Sequence, residues 1–155
     1  MKNYIKDYPR PQFVRKNWAN LNGVWDFSFD DGKLGETEKW YEIFPIDKTI
    51  LVPFTYETKL SSIQEDADYD TVDYHDTVWY HRKLSVDGKK LAESKLLLHF
   101  EGSDFMTKVW VNGKLAGSHR GGYSRFSFDI STIVSDGEND VVVKVEDSCD
   151  ASQPR

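Results

Sequence analysis

The sequence predicts an all-β fold of about eight strands, a β-sandwich or jelly roll, on three observations. Short runs alternate apolar with polar or small residues, as in Trp25, Phe27 and Phe29, or Phe126, Phe128 and Ile130, the period of a half-buried strand. Turn signals separate these runs, and Asn112-Gly113 is the plainest, since a type I′ hairpin demands positive φ at both central residues. Aromatic residues, which favour strands, make up 14% of the 155 residues. This length suits one domain with a single core of its own.

Pro9 and Pro11 deny regular helix or central strand to residues 1–20, which read as an extended arm carrying Phe13 and Trp18. The sandwich domain is placed at 21–147. Asn22-Gly23 leads into a first strand at Val24–Phe29, closed by a turn at Asp30-Asp31-Gly32. Gly35–Glu42 is the best place for a short helix. Ile50-Leu51-Val52 forms a short strand stopped by Pro53, and a polar segment from Ser61 to Asp76 gathers Asp66, Asp68, Asp70, Asp73 and Asp76.

Strand character returns at Thr77–Val86, ends at Asp87-Gly88 and resumes at Lys95–Phe100. Met106–Asn112 and Lys114–Ser118 make the hairpin. Arg125–Ile130 alternates again, Gly137-Glu138-Asn139 is expected to turn, and Val141, Val143 and Val145 mark the last strand. Residues 148–155 read as the start of a linker.

Composition narrows the function classes. A formal charge of −6 argues against nucleic acid, whose binding rests largely on basic patches. The longest apolar clusters, Leu96–Leu98 and Val141–Val143, are strand-sized and too short to span a bilayer. Met1–Tyr8 is polar and lacks the apolar centre of a signal peptide, so a cytoplasmic location is expected. The single cysteine, Cys149, cannot form an internal disulfide, fits a reducing compartment and reads as an incidental thiol.

Motifs for chemistry are sparse. There is no Gly-x-Ser-x-Gly, no His-Glu-x-x-His and no phosphate loop, and Gly121-Gly122 precedes a strand where a dinucleotide loop would precede a helix. Asp66-x-Asp68-x-Asp70 starts like an EF-hand, but Thr71 and Thr77 stand where glycine and the bidentate glutamate belong. A solvated acidic loop is the preferred reading, and no metal or cofactor is expected. His75, His81, His99 and His119 have no metal-ligand spacing; His81 and His99 are expected to face outward or make single hydrogen bonds. Trp18, Trp25, Trp79 and Trp110 read as core before sugar platform. The loop from His119 to Phe126 reads first as a glycine turn anchoring the next strand, and second as Arg120, Tyr123 and Arg125 presented to a partner domain or a sugar.

Taken in order, these pieces resemble the N-terminal domain of family 2 glycoside hydrolases. They comprise Arg10-Pro11-Gln12-Phe13, Leu21–Phe27, Val52-Pro53, Val78-Trp79-Tyr80-His81-Arg82, Val111-Asn112-Gly113, His119-Arg120-Gly121-Gly122-Tyr123, Gly137-Glu138-Asn139 and Gln153-Pro154-Arg155. The resemblance implies a galactose-binding-type jelly roll, followed in the family by an immunoglobulin-like domain and a TIM barrel that carries both catalytic glutamates. It implies no catalytic residue in this chain and a supporting role toward a barrel that hydrolyses β-galactosides or β-glucuronides. Substrate-cleft candidates are then Asp73, His75 and Asp76 in one loop, with Asp147 and Asp150 in the tail. Interdomain candidates are Arg10, Phe13, Trp18, Arg120, Gly121, Gly122 and Tyr123. The implied partners are those two domains and a carbohydrate substrate, with room for a homo-oligomer of the full-length enzyme. An independent carbohydrate-binding module with an aromatic platform is the alternative, and an interaction domain unrelated to sugars is a third reading.

Overall fold

The computed structural model describes residues 16–63 and 74–148. Eight strands carry the fold: β1 (Gly23–Phe29), β2 (Lys48–Val52), β3 (Thr77–Val86), β4 (Leu97–Phe100), β5 (Met106–Val111), β6 (Lys114–Arg120), β7 (Phe126–Asp129) and β8 (Gly137–Glu146). Two short helices accompany them, a 3-10 turn at Lys59–Ser61 and α1 at Gly88–Glu93. The architecture is the all-β sandwich expected.

The described residues fall into two compact units, 16–25 with 48–63, and 26–47 with 74–148. In the first, the Trp25 indole N–H donates to the Leu21 carbonyl at 2.7 Å, and Ile50 and Tyr56 are buried. Ser61 is fully buried and spends its hydroxyl on the Thr58 carbonyl at 2.7 Å. The Val52-Pro53 peptide is cis.

The second unit holds the antiparallel order β1-β3-β8-β5-β6 and a separate β4-β7 pair. Register sorts its side chains onto two faces, because successive residues of a strand point to opposite sides. Phe27, Val78, Tyr80, Val109, Val111, Val141 and Val143 share one face, which is largely buried. Asp26, Trp79, His81, Lys108, Trp110, Val142 and Lys144 share the other. Val141, Val142 and Val143 are all buried, so the central strand is covered on both sides. The expected alternation of valines therefore marks only one of two apolar faces.

The β4-β7 pair packs on β6 where Phe128 lies against Gly117; a Cβ at Gly117 would overlap the phenyl ring. Phe126 stacks between Phe100, at 4.8 Å, and His119, at 4.1 Å.

Three local expectations are corrected. Residues 35–42 form successive turns and no regular helix: Trp40 N–H reaches back five residues to the Gly35 carbonyl, and Lys39 sits at φ +56°. A helix appears instead at α1, started by Asp87, whose carboxylate accepts from Lys89 N–H at 3.0 Å. Gly137-Glu138-Asn139 opens β8 and does not turn, because Asn139 is fully buried and its amide closes the preceding loop through the Ser135 carbonyl at 2.9 Å. His81 faces neither solvent nor a single partner. It is buried beneath Phe44, and its two ring nitrogens meet Asp26 at 2.7 Å and Asp140 at 2.8 Å.

Candidate functional site

The antiparallel order brings the start of β3, the end of β8, the start of β5 and the end of β6 to one edge of the sheet. A cleft of about 240 Å³ opens there, lined by Lys33, Asp76, Phe105, Met106, Arg120, Glu146 and Ser148. Backbone bonds tie its walls together. Asp147 N–H donates to the Asp76 carbonyl at 2.9 Å, Phe105 N–H to Glu146 at 3.3 Å, and Gly121 N–H to Phe105 at 2.8 Å. The Arg120 guanidinium lies over the Phe105 ring at 5.1 Å, which fixes a cation at the rim. Gly122 lies against the Asp104 carboxylate, 2.5 Å from where a Cβ would stand, so a side chain there would displace that carboxylate.

The floor beside this edge is a charge network covered by residues 34–44. Lys144, almost fully buried, donates to Glu36 at 2.7 Å and to Glu146 at 2.9 Å, while Lys108 donates to Glu36 at 2.8 Å. Burial opposes ionisation of Glu36, yet the hydrogen bonds from Lys108 and Lys144 outweigh it and hold its carboxyl below the usual range. Burial likewise opposes the Lys144 charge, and Glu36 and Glu146 reverse that and raise it. The Glu146 carboxylate therefore reaches the cleft already oriented by a buried ammonium.

Asp76 and Arg120 line the cleft, Asp147 is bonded into its wall, and Gly121 and Gly122 shape its side. His75 stands next to it, stacked on Phe29 at 3.6 Å with Nδ1 2.7 Å from Asp31. Tyr123 is 84% exposed and Trp18 38%, and neither lines the cleft. Asp73, Asp150, Arg10, Phe13 and the acidic run at Asp66–Asp70 lie outside the described residues. Sequence reasoning missed Lys33, Phe105, Met106, Glu146 and Ser148. Only Glu146 and Ser148, flanking Asp147, carried a signal.

The cleft pairs two carboxylates with two cations, an apolar Phe-Met patch and a hydroxyl. That mixture suits hydrogen bonding to polyhydroxylated ligands or to polar chain segments. Among the described residues no three His, Cys, Asp or Glu side chains gather as a metal site. No helix among them is long and apolar enough to cross a membrane.

The family model for "Glycosyl hydrolases family 2, sugar binding domain" matches residues 18–153. The chain belongs to this family. Among curated relatives, a β-galactosidase of Thermoanaerobacter pseudethanolicus is 40% identical over 129 residues, covering 82% of this chain and 15% of that protein. A β-glucuronidase of Paenibacillus borealis is 30% identical over 139 residues, covering 89% of this chain and 22% of that protein. The structure of the β-glucuronidase from Ruminococcus gnavus in complex with D-glucaro-d-lactam superposes with a TM-score of 0.72 at 27% identity, covering 84% of this chain and 22% of that one. The chain thus spans between 15% and 22% of these relatives' length, the part that forms the family's sugar-binding domain.

Proposed function

We propose that this family 2 domain serves as the non-catalytic N-terminal part of an enzyme hydrolysing β-glucuronides or β-galactosides. The match over residues 18–153 carries the reading, since proteins named for those two activities share this domain. In it, the edge holding Asp76, Arg120 and Glu146 turns toward the rest of the parent chain, an immunoglobulin-like domain and a TIM barrel. Arg120 and Asp76 orient sugar hydroxyls or barrel loops, and the nucleophile and acid come from the barrel. Support comes from the geometry of this edge: Arg120 and Glu146 are positioned by Phe105 and Lys144. A cytoplasmic location belongs to the same reading.

The test compares the 155-residue chain with the full-length enzyme containing it, on 4-nitrophenyl β-D-glucuronide and β-D-galactoside. The chain alone is expected to cleave neither, and the full-length enzyme one or both. Arg120→Ala in the full-length enzyme should lower kcat/KM about tenfold, roughly 1.4 kcal/mol. A full-length enzyme that cleaves neither glycoside, or a short chain whose activity survives purification to constant specific activity, would overturn the proposal.

A further inference from the structure

A second cleft, of about 310 Å³, is lined by Tyr41, Glu42, Asn112, Gly113 and Asp140. β5 begins at Met106 beside the first cleft and ends in the turn that borders the second, so a strand rise of about 3.4 Å per residue puts them roughly 17 Å apart. Its volume sits at the lower end of the range for small-molecule sites, about 300–1,000 Å³.

Its walls are rigid. The Tyr41 ring stacks on Trp110 at 5.2 Å and 8°, and Trp110 stacks on the fully buried Trp79 at 5.3 Å. Asn112 spends its amide on Asn139 at 2.7 Å and on the Ile133 carbonyl at 3.0 Å, and its oxygen accepts from Asp140 N–H at 2.9 Å. Gly113 sits at φ +76°, a conformation that favours glycine, with the Glu42 side chain 3.4 Å from where a Cβ would stand.

The polar groups facing this space retain bonding capacity. Asp140 Oδ1 takes both His81 Nε2, at 2.8 Å, and Lys83 Nζ, at 2.7 Å, while Oδ2 takes no partner among the described residues. Glu42 Oε1 meets Lys39 at 3.3 Å, and neither its Oε2 nor the Tyr41 hydroxyl has a partner among the described residues. Two carboxylate oxygens beside the clamped Tyr41 ring, which itself carries a phenol hydroxyl, are the chemistry that binds a pyranose. The carboxylates accept hydroxyl hydrogens and the ring covers an apolar C–H face. The same carboxylates repel an anionic sugar. Lys39 and Lys83 already take one oxygen each of Glu42 and Asp140, which leaves fewer free oxygens than the roughly six ligands a divalent cation needs.

We propose that this cleft is an accessory site for neutral hexopyranosides, remote from the Asp76–Arg120 edge. Glu42 and Asp140 are the hydroxyl acceptors and Tyr41 the stacking surface.

The test is an amide chemical-shift titration of the ¹⁵N-labelled 155-residue chain with methyl β-D-galactopyranoside, methyl β-D-glucopyranoside and glucuronate near neutral pH. A neutral glycoside should shift Tyr41, Asn112, Gly113 and Asp140 with a Kd on the order of 1–10 mM. Glu42→Gln and Tyr41→Ala should each weaken that binding several-fold, and glucuronate should leave those amides unmoved. No shift there with either glycoside would overturn the proposal. So would shifts confined to Asp76, Arg120 and Glu146, equal response to glucuronate, or binding that survives both variants. The titration needs no hydrolysis, so its failure is separable from failure of the proposed parent activity.

Discussion

Asp30 is a single buried carboxylate that fixes the cover of the sheet, and removing it should be costly. It is 4% exposed. Its Oδ1 accepts from Leu34 N–H at 2.7 Å, and its Oδ2 accepts from Gly35 N–H at 3.0 Å and from the Trp79 indole N–H at 2.9 Å. Asp30→Ala strands three donors at once. Leu34 can find water, but Trp79 has no exposed surface and the Gly35 bond is buried. Each buried donor left unmet costs roughly 1–3 kcal/mol, and release of a buried charge offsets part of that, so the net loss should be about 3 kcal/mol. With a urea slope of about 1–3 kcal/mol/M, the midpoint should fall by roughly 1–3 M. Asp30→Asn keeps one accepting oxygen and turns an NH₂ toward the remaining donors, so it should lose about half as much. Tryptophan fluorescence in a urea titration reads both variants, because Trp79 and Trp110 lie stacked beneath the segment Asp30 holds. A midpoint for Asp30→Ala within about 0.3 M of the parent chain, at unchanged slope, would refute the reasoning.

Gly35→Ala should destabilise by roughly 1–3 kcal/mol through overpacking, since its Cβ would lie 2.7 Å from the Trp79 indole; an unchanged thermal midpoint would show that the cover segment moves aside freely. Among the shifted groups, two partly buried carboxyls and one partly buried amine shape the pH response. Glu36 and Asp140 titrate lower when folded, so their stabilisation is complete above the unfolded values of about 4 and is lost as pH falls through the folded ones. Lys144 titrates higher when folded, so its contribution is present below about 10.4 and is lost as pH rises through its folded value. Glu36→Gln removes the shared partner of Lys108 and Lys144 and should flatten the acid limb; denaturation midpoints that track the parent chain from about pH 2 to 7 would count against it.

Where hydrogen-bonding pattern and side-chain period coincide, the sequence was legible. β3 runs over Thr77–Val86 as its alternation predicts, and the Asn112-Gly113 hairpin has φ of +50° and +76°, as type I′ demands. Legibility failed where a distant partner decided local shape. Residues 35–42 have a helical composition, but Asp30 and Trp79 clamp Leu34 and Gly35 into a turn, and no local propensity encodes that clamp. His81 looked like an outward strand residue because Phe44, which covers it, lies 37 positions away in the chain and carries no periodic signal. At the candidate cleft, Asp76 and Asp147 were visible as acids at strand ends. Phe105 and Lys33 enter only through the tertiary course of their loops.

Both faces of the β3-β8-β5 core are occupied, and this determines where a ligand can be met. The valine face is filled, and the opposite face is sealed by Trp40, Tyr41 and Phe44 over Trp79, Trp110 and Val142. Among the described residues, both clefts lie past the strand ends. Their composition depends on register. A slip of one residue in β8 would carry Lys144 and Glu146 to the valine face and bring Val143 under Glu36. In the valine layer Lys144 would keep only Glu146 of its own strand and lose Glu36, so an ion pair would be buried among valines without its third member, a penalty of several kcal/mol. The Lys144–Glu36 pair thus does more to specify the register than to add stability, and by holding register it delivers Glu146 to one cleft and Asp140, six residues earlier on the same strand, to the other.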